Sequence, residues 1–262
     1  MPLDHPDFHP FSNTSAQRLR QTEVLKSRVY TLNTSLRYHS AADVIGAALH
    51  EAPNLALVSS FGAESVVLLH LASMVKRDLP VLFIDTEMLF TETLVYQQEV
   101  AERLQLTNVT LLRSGHSAGT DPDGTLHQRN PNACCALRKT QPLQAALHGF
   151  DGWLTGRKRF QSGARAALEH FECEARSDAP PRLKVNPLAY WSRDDVTAYM
   201  EENRLPRHPL VAQGYPSIGC APCTSPITQG ENPRAGRWRD TTKEECGIHF
   251  VDGKAIRQGT SS

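Results

Sequence analysis

The chain has 262 residues, which is long enough to bury the core of one α/β domain with tails. Its 28 Lys and Arg residues balance its 28 Asp and Glu residues, which argues against a nucleic-acid-binding coat and against a strongly acidic surface. No apolar run approaches the roughly 18–20 residues of a membrane-spanning helix, and the N-terminus lacks the basic start and apolar stretch of a secretory signal. We therefore expect a cytoplasmic protein with no nucleic-acid and no membrane partner.

The predicted elements begin with an irregular N-terminal arm and two helical patterns, at 14–28 and 40–51. Ser40 is the predicted N-cap of the second helix. From residue 54 onward, short apolar runs alternate with helical patterns; the runs lie at 55–58, 80–84 and 109–112, and a further buried strand is predicted at 152–156. This alternation predicts an α/β fold with an open, mostly parallel, twisted sheet and helices on both faces.

The composition changes at about residue 214, where the chain becomes rich in Gly, Pro and Arg and loses its apolar periodicity. Such a composition predicts a loop-rich C-terminal segment that can move. We divide the chain into an N-terminal arm and helix (1–39), an α/β nucleotide-binding domain (40–213) and this C-terminal segment (214–262), all within one structural domain.

A polar loop is predicted where the first sheet strand ends. Ser60, Gly62 and Ser65 lie there, between an apolar run and a helical pattern. In open parallel sheets, ligands bind at the carboxyl ends of the strands. Hydroxyls, a glycine and unpaired helix N–H groups can together hold an anion. The Gly-Lys-Ser/Thr ending of a Walker loop is absent, and an ordinary Ser/Gly turn that caps a helix is the alternative.

Four of the six cysteines form two tight pairs, Cys134–Cys135 and Cys220-Ala-Pro-Cys223. Four thiolates in two pairs are the ligand count of a 4Fe–4S cluster or of a structural zinc ion. Adjacent cysteines form a zinc knuckle poorly because both side chains must converge on neighbouring sites, whereas a four-iron cube offers separate corners. We predict one 4Fe–4S cluster per chain on these four cysteines, with zinc or coincidental buried cysteines as the alternatives.

Two basic segments are candidates for binding an anion. Arg157–Arg159 directly follows the last predicted strand, at the same sheet edge as the polar loop. Arg234-Ala-Gly-Arg237-Trp follows the second cysteine pair. Guanidinium groups suit two adjacent anions because they donate bidentate hydrogen bonds and remain charged. Solvated surface loops are the alternative for both segments.

The fifth cysteine, Cys246, lies in the polar tail sequence Glu-Cys-Gly-Ile-His. A lone cysteine in such a setting is a candidate nucleophile, and His249 could activate it by lowering its pKa. Cys173 matches no motif and is interpreted as structural or incidental.

Five motifs in order, over roughly residues 40–250, resemble those of assimilatory adenylyl-sulfate (APS) reductases of the adenine-nucleotide α-hydrolase-like superfamily. The polar loop is similar to the Ser-x-Gly-x-x-Ser loop of that superfamily. Ile84-Asp85-Thr86 is similar to its Leu-Asp-Thr-Gly segment, which borders the adenosine, with Glu87 in place of the glycine. Both cysteine pairs resemble the cluster motifs, which relatives specific for the 3′-phosphorylated nucleotide (PAPS) lack.

The resemblance also implies roles for individual residues. Lys139 matches a lysine that lies between cluster and substrate, and Arg159 matches the second arginine of a Gly-x-Arg-Arg-x-Gln-Ser stretch. Arg234 and Arg237 match arginines that hold the phosphosulfate. The implied substrate-binding residues are Ser60, Gly62, Ser65, Asp85, Lys139, Arg159, Arg234 and Arg237.

The implied activity is thioredoxin-dependent reduction of APS. Cys246 attacks the sulfur of APS, AMP leaves, and thioredoxin or a glutaredoxin-like donor resolves the S-sulfonate on Cys246 and releases sulfite. Residues 214–262 then carry the cluster loop and a mobile catalytic tail. Reduction of PAPS or of both nucleotides, an ATP-using tRNA sulfur-transfer enzyme and a non-catalytic metal-binding module are the alternatives. The sequence leaves open whether the chain forms a homo-oligomer.

Overall fold

A six-stranded sheet lies at the centre of the computed structural model, which describes residues 15–239 and the backbone of residues 250–251 and 254–255. Its strands are β1 (Leu55–Ser59), β2 (Val81–Ile84), β3 (Val109–Leu112), β4 (Gly152–Leu154), β5 (Phe171–Glu174) and β6 (Arg182–Val185). The order across the sheet is β3-β2-β1-β4-β6-β5, and every neighbouring pair is parallel except β5 and β6. The predicted α/β fold with a mostly parallel sheet is confirmed.

The central strands are apolar because helices cover both of their faces. All four residues of β2 are buried, as is typical of a strand inside a parallel sheet. The register places Leu57 opposite Val81 and Ser59 opposite Phe83, so β1 and β2 end at the same edge. Residues 250–251 and 254–255 form a separate two-stranded ribbon.

The longer helices are α1 (Ser15–Leu36), α2 (Ala41–Glu51), α3 (Ser65–Val75), α4 (Thr91–Arg103) and α9 (Arg193–Glu202). The shorter ones are α5 (Ser117–Thr120), α6 (Leu126–Arg129), α7 (Pro131–Cys135) and α8 (Gln141–Ala146). Ser40 caps α2 as predicted, since its hydroxyl accepts a hydrogen bond from the Asp43 amide at 3.1 Å. A π-helical turn, Ala136–Thr140, joins α7 to α8.

Two apolar cores lie on the two faces of the sheet. The larger one packs α2, α3, α4 and α9 against the face that carries Leu55 and Leu57. The smaller one packs Leu143 and Leu147 against the opposite face, which carries Ala56 and Trp153. The alternation of Leu55, Ala56 and Leu57 between the cores follows from the two-residue period of a strand.

The strands β5 and β6 carry charged side chains that the apolar pattern did not indicate. Arg182 is buried and its Nε donates to Glu174 at 3.0 Å, while the indole Nε1 of Trp153 donates to the same carboxylate at 2.9 Å. A buried charge is tolerated when it is paired and hydrogen-bonded. Backbone pairing and this ionic network therefore stabilise the β6–β5 edge of the sheet, which the apolar pattern of the sequence did not predict.

Candidate functional site

An open cleft of about 260 Å³ lies beyond the carboxyl ends of β1 and β4. These are the neighbouring strands from which the chain order runs in opposite directions across the sheet. In open α/β sheets, ligands bind outside the strand ends at such a switch point. The loops that form the walls follow β1, follow β4 and come from residues 216–218 and 232–237.

The predicted polar loop forms one wall of this cleft. Ser60, Gly62 and Ser65 line it, and among residues 15–239 no side chain caps the first turn of α3. A side-chain carbon at Gly62 would lie 3.3 Å from the carbonyl oxygen of Ile218, so the small residue lets the two loops approach closely. An uncapped helix start beside hydroxyls is suited to an anion.

A basic wall faces this loop. Arg157, Lys158, Arg165 and Arg193 line the cleft. Lys158 is almost completely buried, and its Nζ donates to Glu64 at 2.7 Å. Burial lowers the pKa of Lys158, and the Glu64 carboxylate opposes that shift. The pair ties the loop after β4 to the start of α3.

Arg157 is held by a buried polar network under the cleft. Its guanidinium pairs with Glu172, and its Nε donates to Asn186 at 3.1 Å. Asn186 also accepts from the hydroxyl of Thr155 at 2.9 Å. This network fixes the guanidinium before any ligand arrives.

The C-terminal arginines close the cleft from the other side. Arg234 and Arg237 both line it, and Arg237 Nη1 donates to the carbonyl of Ile218 at 3.1 Å. The Arg237 guanidinium also lies over the ring of Trp238, 4.5 Å from its centroid. A side-chain carbon at Gly219 would overlap this guanidinium, so glycine is required for Arg237 to take its place.

The four paired cysteines line one small pocket next to the cleft. Cys134 and Cys135 are buried at the end of α7, and Asn130 caps that helix by accepting from the Ala133 amide at 3.0 Å. Cys220 enters from the C-terminal segment and lies 3.2 Å from the hydroxyl of Thr86. Two distant parts of the sequence are thus brought together.

The cysteine thiols have electrostatic neighbours of both signs. The pKa of Cys134 is raised to about 11, mainly by burial and also by the neighbouring Cys135 and Cys220, while Arg138 opposes the shift. Burial also raises the pKa of Cys223, which Lys139 and Arg237 lower. Within the described part of the chain, no three Cys, His, Asp or Glu side chains group around one point as they would around a single metal ion.

The other predicted site residues fall in three places. Asp85 is buried and does not line the cleft; it accepts from the Glu87 amide at 2.8 Å and pairs with Arg113 at 2.8 Å. Lys139 lines the cysteine pocket and not the cleft. Cys246 and His249 lie outside the residues that the structure describes.

Arg159 is directed away from the cleft. Its guanidinium pairs with Glu169 at 3.0 Å, donates to the carbonyl of Leu168 and lies 4.0 Å from the centroid of the Tyr190 ring. The cleft receives Arg157 and Lys158 from the same basic segment.

The cleft-lining residues that sequence reasoning did not single out include Phe160, Arg193 and Asn232. Phe160 and Arg193 also contact each other, with the guanidinium 5.0 Å from the ring centroid. The available signal for Arg193 was its place directly after Ser192, which caps α9. Nothing in the local pattern of Asn232 distinguishes it from a loop residue.

Comparison with known proteins gives a consistent picture. Residues 54–226 match the model of the phosphoadenosine phosphosulfate reductase domain. The chain is 47% identical to the adenosine 5'-phosphosulfate reductase of Mesorhizobium japonicum over 198 residues, 75% of this chain and 76% of that one. It is 42% identical to the same-named protein of Chelativorans sp. over 239 residues, 88% of this chain and 96% of that one.

A solved structure shows the same likeness. The phosphoadenylyl-sulfate (PAPS) reductase of Candida auris, in a phosphate complex, superimposes with a TM-score of 0.65 at 30% identity. The match covers 76% of this chain and 96% of that one.

Proposed function

Because the chain belongs to the phosphoadenosine phosphosulfate reductase family, we propose that it reduces APS to sulfite and AMP. The reaction serves sulfate assimilation and, through sulfite, cysteine biosynthesis. A cytoplasmic setting suits it, because thiol donors such as thioredoxin are kept reduced there. Among the described residues, no helix is long and apolar enough to cross a bilayer.

One observation carries the proposal: Arg237 lines the cleft and forms a β-bridge with Thr224, the residue after Cys223 of the cysteine pocket. The cleft offers a helix start and cations to an anionic nucleotide, and its apolar floor includes Ile84 and Trp153. A phosphosulfate held by Arg234 and Arg237 would lie at the end of the cleft that is closest to the cysteines. Lys139, on the pocket side, adds positive charge to this boundary.

The cysteine pocket fits a 4Fe–4S cluster on Cys134, Cys135, Cys220 and Cys223. This proposal is supported by four thiols that come from two separate segments and line one pocket. The buried Nε–H of Arg138, which lines the same pocket, has no hydrogen-bond partner among the described residues. When bound, the cluster would supply positive iron centres that keep the thiols deprotonated, and its role would be electrostatic and structural.

The proposed chemistry takes place on Cys246. Its thiolate attacks the sulfur of APS, the bond between that sulfur and the bridging oxygen breaks, and AMP leaves with the electron pair. A thioredoxin thiolate then attacks the Cys246 sulfur and releases sulfite, and the second thioredoxin thiol resolves the mixed disulfide. Sulfur gains two electrons, and the thioredoxin dithiol becomes a disulfide. His249 is proposed to favour the thiolate form of Cys246.

The decisive experiment is to incubate the protein with sulfur-labelled APS without any thiol donor. We expect one sulfonate on the peptide that contains Cys246. Cys246→Ser should lose this adduct and all sulfite formation because a serine hydroxyl is a far weaker nucleophile at neutral pH. Cys173→Ser is the matched control and should keep both. A sulfonate on Cys173, or turnover by the Cys246 variant, would exclude the mechanism.

Reduction of PAPS is the second candidate function, and the likeness to the Candida auris structure favours it. The cations Arg165 and Arg193 in the cleft could accept a 3′-phosphate. Against it stands the resemblance of the two cysteine pairs to the cluster motifs of APS reductases. We expect the higher kcat/KM with APS, and equal or faster turnover of PAPS would reverse the assignment.

A further inference from the structure

The segment Asp85–Leu89 runs along the cysteine pocket and contacts Cys220 on one side and Arg138 on the other. On one side, the Met88 carbonyl accepts from the Ala221 amide at 2.7 Å, and Leu89 forms a β-bridge with Cys220. On the other side, the carbonyl of Thr86 accepts from Arg138 Nη1 at 3.2 Å, and Arg138 lies three residues after Cys135. The segment therefore connects the two parts of the chain that the pocket requires.

Glu87 occupies a backbone conformation in this segment that favours glycine. Its φ is +60°, in the left-handed region, which is costly for a side chain other than Gly, Asn or Asp. Strain of this kind persists only where surrounding contacts over-determine it. The Glu87 amide donates to the Asp85 carboxylate at 2.8 Å, and this hydrogen bond stabilises the turn at residues 85–87.

The Glu87 side chain is itself 39% exposed, and it pairs with a cation that is buried. Its carboxylate accepts from Arg138 Nη1 at 3.0 Å and from the hydroxyl of Ser117. Arg138 Nη2 donates to Asp121, whose side chain is completely buried, at 3.0 Å. The Arg138 side chain is 7% exposed, so its charge depends on these two carboxylates for compensation.

We propose that Glu87 is a positioning residue that sets Cys134–Cys135 against Cys220–Cys223 before a metal centre is bound. The carboxylate fixes Arg138, Arg138 fixes the π-helical turn that follows the first pair, and the backbone of the same segment fixes the second pair. The inference rests on the proposed function only in treating the four cysteines as a metal site.

The test compares Glu87→Gln, which keeps the shape and removes the charge, with Glu87→Gly, which relieves the backbone and removes the carboxylate. Gln105→Gly is the control, since exposed Gln105 has a φ of +53° at the end of α4, away from the pocket. Hydrogen exchange is followed by mass spectrometry on the full chain, as purified and after iron is removed with a chelator.

Both Glu87 variants should exchange roughly tenfold faster than wild type in residues 131–139 and 220–224 of the iron-free chain, because a buried cation has lost one of two anionic partners. Exchange in β1 and β2 should stay unchanged, and Gln105→Gly should match wild type in all these segments. A chain reloaded with ferrous iron and sulfide should release iron to a chelator faster in both Glu87 variants.

Two results would overturn the proposal: wild-type exchange around both cysteine pairs in the Glu87 variants, or faster exchange spread evenly over the sheet. The second result would mean that Glu87 contributes to general stability only. The exchange measurement on the iron-free chain uses no nucleotide, cluster or thiol donor, so its outcome is independent of whether the chain reduces APS.

Discussion

Arg237 is the residue at which the cleft and the cysteine pocket meet. Its guanidinium faces the cleft, donates to the backbone of the segment that leads into Cys220, and acts on Cys223. A single cation in this place can serve a phosphosulfate and also offset negative charge in the pocket. Loss of Arg237 should therefore weaken substrate binding more than loss of an arginine that does not line the cleft, such as Arg239.

Arg237→Ala is predicted to weaken APS binding by about 1.5–3 kcal/mol, the usual cost of a lost hydrogen bond to a charged group. Arg234→Ala should act in the same direction. Arg239→Ala is the matched control, because Arg239 pairs with Glu231 at 2.9 Å and does not line the cleft. Equilibrium binding of APS to the Cys246→Ser background gives the affinities without turnover, and wild-type affinity in either cleft variant would remove that arginine from the site.

The basic segment after β4 shows what residue patterns can and cannot predict. Its position at the strand end predicted cations at the cleft, and Arg157 and Lys158 do line it. Which of three adjacent cations faces the cleft depends on partners distant in the sequence. Lys158 pairs with Glu64 at the cleft, whereas Arg159 pairs with Glu169 and packs on Tyr190 away from the cleft. Those partners become neighbours only through the sheet topology.

At the scale of elements, glycines decide how closely the loops of the site approach each other. Gly219→Ala is predicted to displace the Arg237 guanidinium, because the added carbon would occupy its space. APS binding should weaken to about the extent seen for Arg237→Ala, within roughly 1.5–3 kcal/mol. Gly149→Ala is the control, since nothing lies within 4 Å of the added carbon there. Unchanged binding by the Gly219 variant would show that Arg237 can move at no cost.

The helix α2 offers an opposite prediction about glycine. Gly46 is exposed in the middle of this helix, and an added carbon would meet nothing within 4 Å. Gly46→Ala should raise the free energy of unfolding by about 0.5–1 kcal/mol, because alanine loses less backbone entropy in a helix. Urea unfolding of the two proteins measures the difference, and a decrease in stability would contradict the assigned helix.

The elements that the sequence predicted are those with a strong apolar period. The runs at β1, β2, β3 and β4 and the cap of α2 are found close to their predicted places. The strands β5 and β6 were not predicted because charged residues such as Arg182 and Lys184 interrupt the apolar pattern. In the fold both of these side chains are buried, Arg182 against Glu174 and Lys184 against Trp153. Contacts across the sheet, which no local window contains, outweigh local hydrophobicity there.

At the scale of the whole molecule, buried histidines couple the fold to pH. His208 is almost completely buried; its Nδ1 accepts from the Leu210 amide at 3.2 Å and its Nε2 lies 3.0 Å from the hydroxyl of Thr93. The neutral ring with its proton on Nε2 satisfies both contacts, whereas a second proton on Nδ1 would oppose the amide. Burial accordingly lowers the pKa of His208 to about 4, with a smaller opposing effect of Glu92.

The sign of the pH effect follows from this lowered pKa. Well above pH 6.5 the ring is neutral in both the folded and the unfolded chain, so His208 does not lower the free energy of unfolding. Between pH 6.5 and about 4 the unfolded chain binds a proton that the folded chain does not, so stability falls as the pH falls. The difference in pKa corresponds to about 3 kcal/mol at its limit. Burial lowers the pKa of His70 and His170 as well, which adds to the loss in the same direction.

Urea unfolding at pH 7.5 and pH 5 should therefore show a lower free energy of unfolding at the acid pH, and His208→Asn should reduce the difference. Asparagine can place its carbonyl oxygen near the Leu210 amide but cannot take up a proton, so the variant loses the titration while retaining part of the contact. His50→Gln is the control because the His50 side chain is 86% exposed. It should keep the full pH dependence of wild type. If His208→Asn and wild type lost equal stability between the two pH values, the neutral buried ring would not be the group that makes the fold sensitive to acid, and the carboxylates of the ionic networks would take its place.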